Sequence, residues 1–122
     1  MFRFLHTSDL HLGKRFGQMP EELRGRLPEA RHNSIDRLRE VATTNALDTI
    51  LVAGDIFDTE TPSPATVRQA LRSMGESSEI SWYLIPGNHD SLRAEELWSR
   101  VDREHPRNVT LLKKPEPVAL GP

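Results

Sequence analysis

The sequence predicts an α/β fold, a mainly parallel sheet flanked by helices. Three observations predict it. Apolar runs suited to strands recur at residues 2–5, 49–53 and 80–85. Stretches with apolar residues at helical spacing separate them. Each run also passes directly into a short polar cluster, the usual sequel to a strand whose carboxyl end opens into a site. Regular strand–helix alternation implies βαβ units with right-handed crossovers.

The elements follow in order. The first strand is expected at residues 2–7, followed by a Gly- and Pro-containing loop over 13–28. Residues 29–46 carry Ile35, Leu38, Val41 and Ala42 at helical spacing, with charged residues between them. The run at 49–53 is continuously aliphatic, as in a strand buried on both faces of a parallel sheet. Ser63 is a suitable N-cap and Pro64 suits the first helical position. Val67, Ala70, Leu71 and Met74 then form an apolar stripe, and Gly75 closes the helix. A third strand at 80–85 is stopped by Pro86-Gly87. Residues 94–101 form a short helix through Leu97 and Trp98, and 108–112 one more short strand. The tail from Lys113 reads as the beginning of another strand that is cut off.

The chain has 122 residues, which suits one small domain. Apolar residues make up 36% and charged residues 28%, leaner in core formers than an average domain but not disordered. The net charge of −2 means that nucleic-acid binding requires a local basic patch. There is no cysteine, so disulfides and thiolate metal sites are excluded. No apolar run approaches the roughly 20 residues that span a bilayer, and no signal-peptide pattern opens the chain. No membrane association and a cytoplasmic location are therefore expected.

Three clusters carry the chemistry: Ser8-Asp9-Leu10-His11, Gly54-Asp55-Ile56-Phe57-Asp58 and Gly87-Asn88-His89-Asp90. Strand ends in one sheet bring such groups to one edge. Crowded carboxylates repel unless a cation sits among them. Carboxylate, imidazole and amide oxygen are ligands that Mn²⁺, Fe²⁺ or Zn²⁺ accept. Taken singly, each cluster also has a structural reading, as a turn with a capping Asp or Asn. Their recurrence after three successive strands favours a metal site.

The clusters resemble the first three motifs of the calcineurin-like metallophosphoesterases, Asp-x-His, Gly-Asp-x-x-Asp and Gly-Asn-His-Asp/Glu. Phe4-Leu5-His6-Thr7-Ser8-Asp9-Leu10-His11-Leu12-Gly13 and Ala53-Gly54-Asp55-Ile56-Phe57-Asp58 are similar to SbcD-type DNA repair nucleases in particular. The resemblance implies an αββα sandwich, of which residues 1–122 are the first half and the N-terminal part of a nuclease domain. It implies that Asp9 and His11 bind a first metal, that Asp55 bridges two metals and that Asn88 binds the second. His89 would act on the substrate phosphate or leaving group, polarised by Asp58, and Asp90 would brace the turn. The implied reaction is phosphodiester hydrolysis with two divalent ions, most commonly Mn²⁺, which clamp the attacking and leaving oxygens.

The same resemblance implies further histidines from later motifs. His6, His32 and His105 do not lie in the context of those motifs, so the site expected here is partial. A face of the sheet left bare would favour self-association. Lys14 and Arg15 are either a solvated loop or contacts to a DNA backbone. DNA is the implied substrate, and an SbcC-type ATPase is the implied partner of the longer protein. Two other readings stay open: a phosphoesterase for a small ester, cyclic nucleotide or phosphoprotein, and a non-catalytic half-domain that binds metal or DNA.

Overall fold

A computed structural model describes residues 2–13, 26–58, 62–86, 94–114 and 116–120, with the backbone alone for 26–29 and 31. The order along the chain is β1 (Leu5–Thr7), α1 (Arg26–Thr44), β2 (Thr49–Ala53), α2 (Pro64–Gly75), β3 (Ser81–Ile85), α3 (Glu95–Glu104) and β4 (Val109–Leu111). The four strands pair in sequence order, β1-β2-β3-β4, and every pairing is parallel. The α/β architecture expected from the alternation is therefore the one observed.

Register explains the burial. Leu5, Ile50, Trp82 and Val109 lie in one row across the sheet, and Thr7, Val52, Leu84 and Leu111 in the next on the same face. Ile50, Val52, Trp82, Leu84 and Val109 are buried there, with Leu5 and Leu111 packed at the margin. Right-handed crossovers between successive neighbours put all three helices on that face. The alternate row, His6, Leu51, Tyr83 and Thr110, points the other way and runs from half-buried to exposed.

The helices form where capping and periodicity agree. Ser63 Oγ accepts from the Thr66 amide at 3.1 Å, and Pro64 follows it at the start of α2. Val67, Ala70, Leu71 and Met74 all turn inward. In α3, Glu95 and Glu96 complement the positive end of the helix, and Leu97, Trp98 and Val101 are buried. α1 starts three residues before the expected boundary. Pro28 lies in its first turn, where the amide it lacks has no intrahelical acceptor. The buried stripe of α1 also differs from the expected one. Val41 is 40% exposed, and His32, Ile35 and Ala42 lie inside, with Leu38 at the edge of the core.

Other differences fall at strand ends. The first strand begins at Leu5, opposite Ile50, and in that register residues 2 and 3 fall beyond the start of β2 at Thr49. Phe2 and Phe4 are about half exposed, and their rings stack at 6.0 Å. The expected terminal strand does not form: the Leu112 amide still donates to the Leu84 carbonyl at 2.9 Å, but residues 113–114 and 116–120 are in no strand, and no further strand among the described residues adjoins β4 to support one.

Candidate metal centre

The site is built where the chain leaves β1 and β2. Thr7 pairs with Val52, so the two segments emerge side by side at the carboxyl edge of the sheet. They then stay zipped beyond the strands. The Asp9 amide donates to the Gly54 carbonyl at 3.2 Å, His11 to Asp55 at 3.0 Å and Leu12 to Ile56 at 2.9 Å. The Asp58 amide returns a bond to the Leu12 carbonyl at 3.0 Å. Leu12, Ile56 and Phe57 are buried beneath this zipper, and the Phe57 ring packs against Trp98 of α3 with centroids 6.3 Å apart. Gly54 also donates to the Ile85 carbonyl at 2.7 Å, which ties the end of β3 to the same edge.

Asp9, His11 and Asp55 converge, with one ligand atom from each lying within 4.8 Å of the others. Their backbones are left-handed, with φ of 59°, 46° and 52°. Among the described residues only one other non-glycine residue, Ala46, has a positive φ. Such conformations cost about 1–3 kcal/mol each and concentrate where a site needs side chains aimed against local preference. Asp tolerates this region better than most residues, and Gly13 and Gly54, with φ of 84° and 85°, flank the two segments.

Asp58 sits behind this cluster. His11 Nδ1 lies 3.0 Å from Asp58 Oδ1, and His11 Nε2 lies 3.5 Å from Asp9 Oδ1. Two carboxylates and an imidazole are a donor set that suits a divalent first-row metal, and a cation offsets the repulsion between the acids. The residues present therefore fit the metal that the sequence implies.

Of the residues expected at the site, Asp9, His11, Asp55 and Asp58 come together. Asn88, His89 and Asp90 lie outside the described residues, as do Lys14 and Arg15. The resemblance pairs Asp58 with His89; the described partner of its carboxylate is His11. The sequence carries no signal for that contact, which spans 47 positions.

Fold and site together define an α/β domain with a candidate divalent-metal centre at the ends of parallel strands. The family model for calcineurin-like phosphoesterase matches residues 2–118, and the chain belongs to that family. It is 32% identical over 120 residues to an uncharacterised metallophosphoesterase, YhaO, of Bacillus subtilis, an overlap of 93% of this chain and 28% of that protein. It is 38% identical over 93 residues to the SbcD component of the nuclease SbcCD of Escherichia coli K12, covering 74% of this chain and 22% of the relative. It is 28% identical over 93 residues to the DNA double-strand break repair protein Mre11 of Saccharolobus solfataricus, covering 75% of this chain and 23% of the relative. The chain thus spans less than a third of the length of these relatives. No helix among the described residues is long and apolar enough to cross a membrane.

Proposed function

We propose that the chain is the N-terminal part of a metal-dependent nuclease domain that hydrolyses phosphodiesters in DNA. The observation that carries this reading is the convergence of Asp9, His11 and Asp55 at the sheet edge. Similarity to the SbcD component of SbcCD supports DNA as the substrate. Asp9 and His11 would hold a first ion, and Asp55 and Asn88 would serve it and a second. Divalent ions bound there, Mn²⁺ in this reading, would supply Lewis-acid polarisation of the phosphate and a water acidic enough to attack near neutral pH.

The chain's own residues orient and exchange protons. The left-handed turns at Asp9, His11 and Asp55 aim three side chains at one point before any ligand arrives. That preorganisation lowers the reorganisation required when phosphate binds. In this reading His89 serves the phosphate or protonates the leaving oxygen, with Asp90 in support. Lys14 and Arg15 contact the DNA backbone, a term that weakens as salt rises. The longer protein works in the cytoplasm with an SbcC-type ATPase.

The test is hydrolysis by the purified chain with Mn²⁺, offered linear duplex DNA and, separately, a chromogenic small phosphodiester. DNA cleavage that disappears in Asp55→Asn supports the reading. Turnover of the small ester alone would favour the small-ester alternative. Metal binding without turnover of either would favour a half-domain that binds but does not catalyse.

A further inference from the structure

Resting on that reading of the metal centre, we propose that Asp58 is a positioning residue for His11, fixing which imidazole nitrogen faces the metal. A carboxylate oxygen accepts but has no hydrogen to give, so the 3.0 Å contact is made by an N–H at His11 Nδ1. With Nδ1 carrying the hydrogen, the lone pair of the neutral ring belongs to Nε2. Nε2 is the nitrogen on the side of Asp9, a member of the three-residue cluster, and lies 3.5 Å from its Oδ1. The contact therefore presents the ring in the tautomer that ligation requires, with its edge turned into the site. Outer carboxylates that accept from a ligating histidine act in this way at metal centres generally.

Asp58 is itself held for the task. Its amide is bonded to the Leu12 carbonyl at 3.0 Å, next to the histidine it orients. Its neighbour Phe57 is buried and pairs with Leu12 as a parallel bridge. Backbone and side chain of Asp58 thus reach the 11–12 segment together. The His11 and Asp58 side chains are 21% and 27% exposed, so the contact is partly shielded from competing water. Asp9, by comparison, is 63% exposed and open to solvent.

The experiment is a calorimetric Zn²⁺ titration of the whole chain as wild type, Asp58→Ala and Asp58→Asn. Imidazole ¹⁵N–¹H spectra of the Zn²⁺-loaded proteins accompany it, and Zn²⁺ serves because it is diamagnetic. Asn keeps an oxygen acceptor of the same shape and Ala removes it, so the pair separates orientation from folding. The expected result is an affinity loss on the order of 10–100-fold in Asp58→Ala, with most of it restored in Asp58→Asn. A slowly exchanging Nδ1–H signal from His11 is expected in wild type and absent in Asp58→Ala. Unchanged affinity and an unchanged Nδ1–H signal in Asp58→Ala would overturn the proposal, as would Zn²⁺ on Nδ1 or no Zn²⁺ uptake by wild type. Failure to cleave DNA with the Zn²⁺ results intact would count against the nuclease reading alone.

Discussion

Leu12 and Phe57 pair in parallel beyond the last residues of β1 and β2. This bridge makes the two strand-end loops one unit. It locks together the segments that supply Asp9, His11, Asp55 and Asp58, and both of its side chains are buried. The candidate centre is therefore an extension of the sheet edge rather than a pair of independent loops. Side chains on backbone fixed in this way meet a ligand with less ordering to do.

Asp55 gives a clean separation of fold from ligation. At φ 52°, Asn is accepted nearly as well as Asp, whereas Ala pays about 1–2 kcal/mol for the left-handed backbone. Asp55→Asn is expected to keep the wild-type melting temperature and lose Mn²⁺ uptake. Asp55→Ala is expected to lose both. Calorimetric titration with thermal melts checks this, and retained Mn²⁺ uptake in Asp55→Asn would remove Asp55 from the ligand set.

Ala46 offers a stabilising change. The Leu47 amide bonds to the Ala42 carbonyl at 2.8 Å and the Ala46 amide to that of Thr43 at 3.1 Å. This is the helix-ending pattern that places a left-handed residue just past the last turn, usually glycine. Ala46 adopts it with φ 54°. Ala46→Gly is expected to raise stability by roughly 1 kcal/mol, the relief of left-handed strain less the entropy of glycine. Urea unfolding measures it, and a loss of stability would refute the assignment.

Asn108 clamps the end of α2. Its Nδ2 lies 2.8 Å from the Met74 carbonyl, 3.2 Å from that of Ser77 and 2.8 Å from that of Ile80. Removing the donor leaves partly buried carbonyls unsatisfied, at a cost of about 1–3 kcal/mol. Asn108→Ala is expected to lose that much by urea unfolding. Asn108→Asp is expected to lose more, since it turns an acceptor toward three carbonyls.

His32 sets a pH dependence of stability. It is buried, Nδ1 has no hydrogen-bond partner among the described residues, and desolvation holds its pKa below the ordinary 6.5. The unfolded chain therefore binds this proton more readily than the folded one. The contribution of His32 is complete above pH 6.5 and is lost as pH falls below it toward the depressed folded value. Denaturation midpoints are expected to fall from about pH 7 to about pH 5.5, and the His32 share of that fall should vanish in His32→Leu. An identical slope in the variant would remove His32 as the cause.

Much of the fold was legible along the chain. The aliphatic run at Thr49–Ala53 and the Ser63-Pro64 start of α2 are local signals, and both elements form where they indicate. The inner face of α1 is less legible. Val41 fits helical spacing as well as Ala42, and only packing against α2 and the sheet assigns the inner face to His32, Ile35 and Ala42. The convergence of Asp9, His11 and Asp55 was legible as a consequence of strand ends sharing an edge.

The sequence by itself determined the element types, the alternation behind a parallel sheet and the residues able to ligate a metal. Hydrophobic period, caps and turn residues act over a few positions, and they are written locally. Only the tertiary structure decided that β1 lies beside β2 in the register that zips residues 9–12 to 54–58, that three of the site residues adopt left-handed backbone, and that Asp58 meets His11. Those outcomes depend on hydrogen bonds and packing between segments some 45 residues apart, which neither segment encodes without the other.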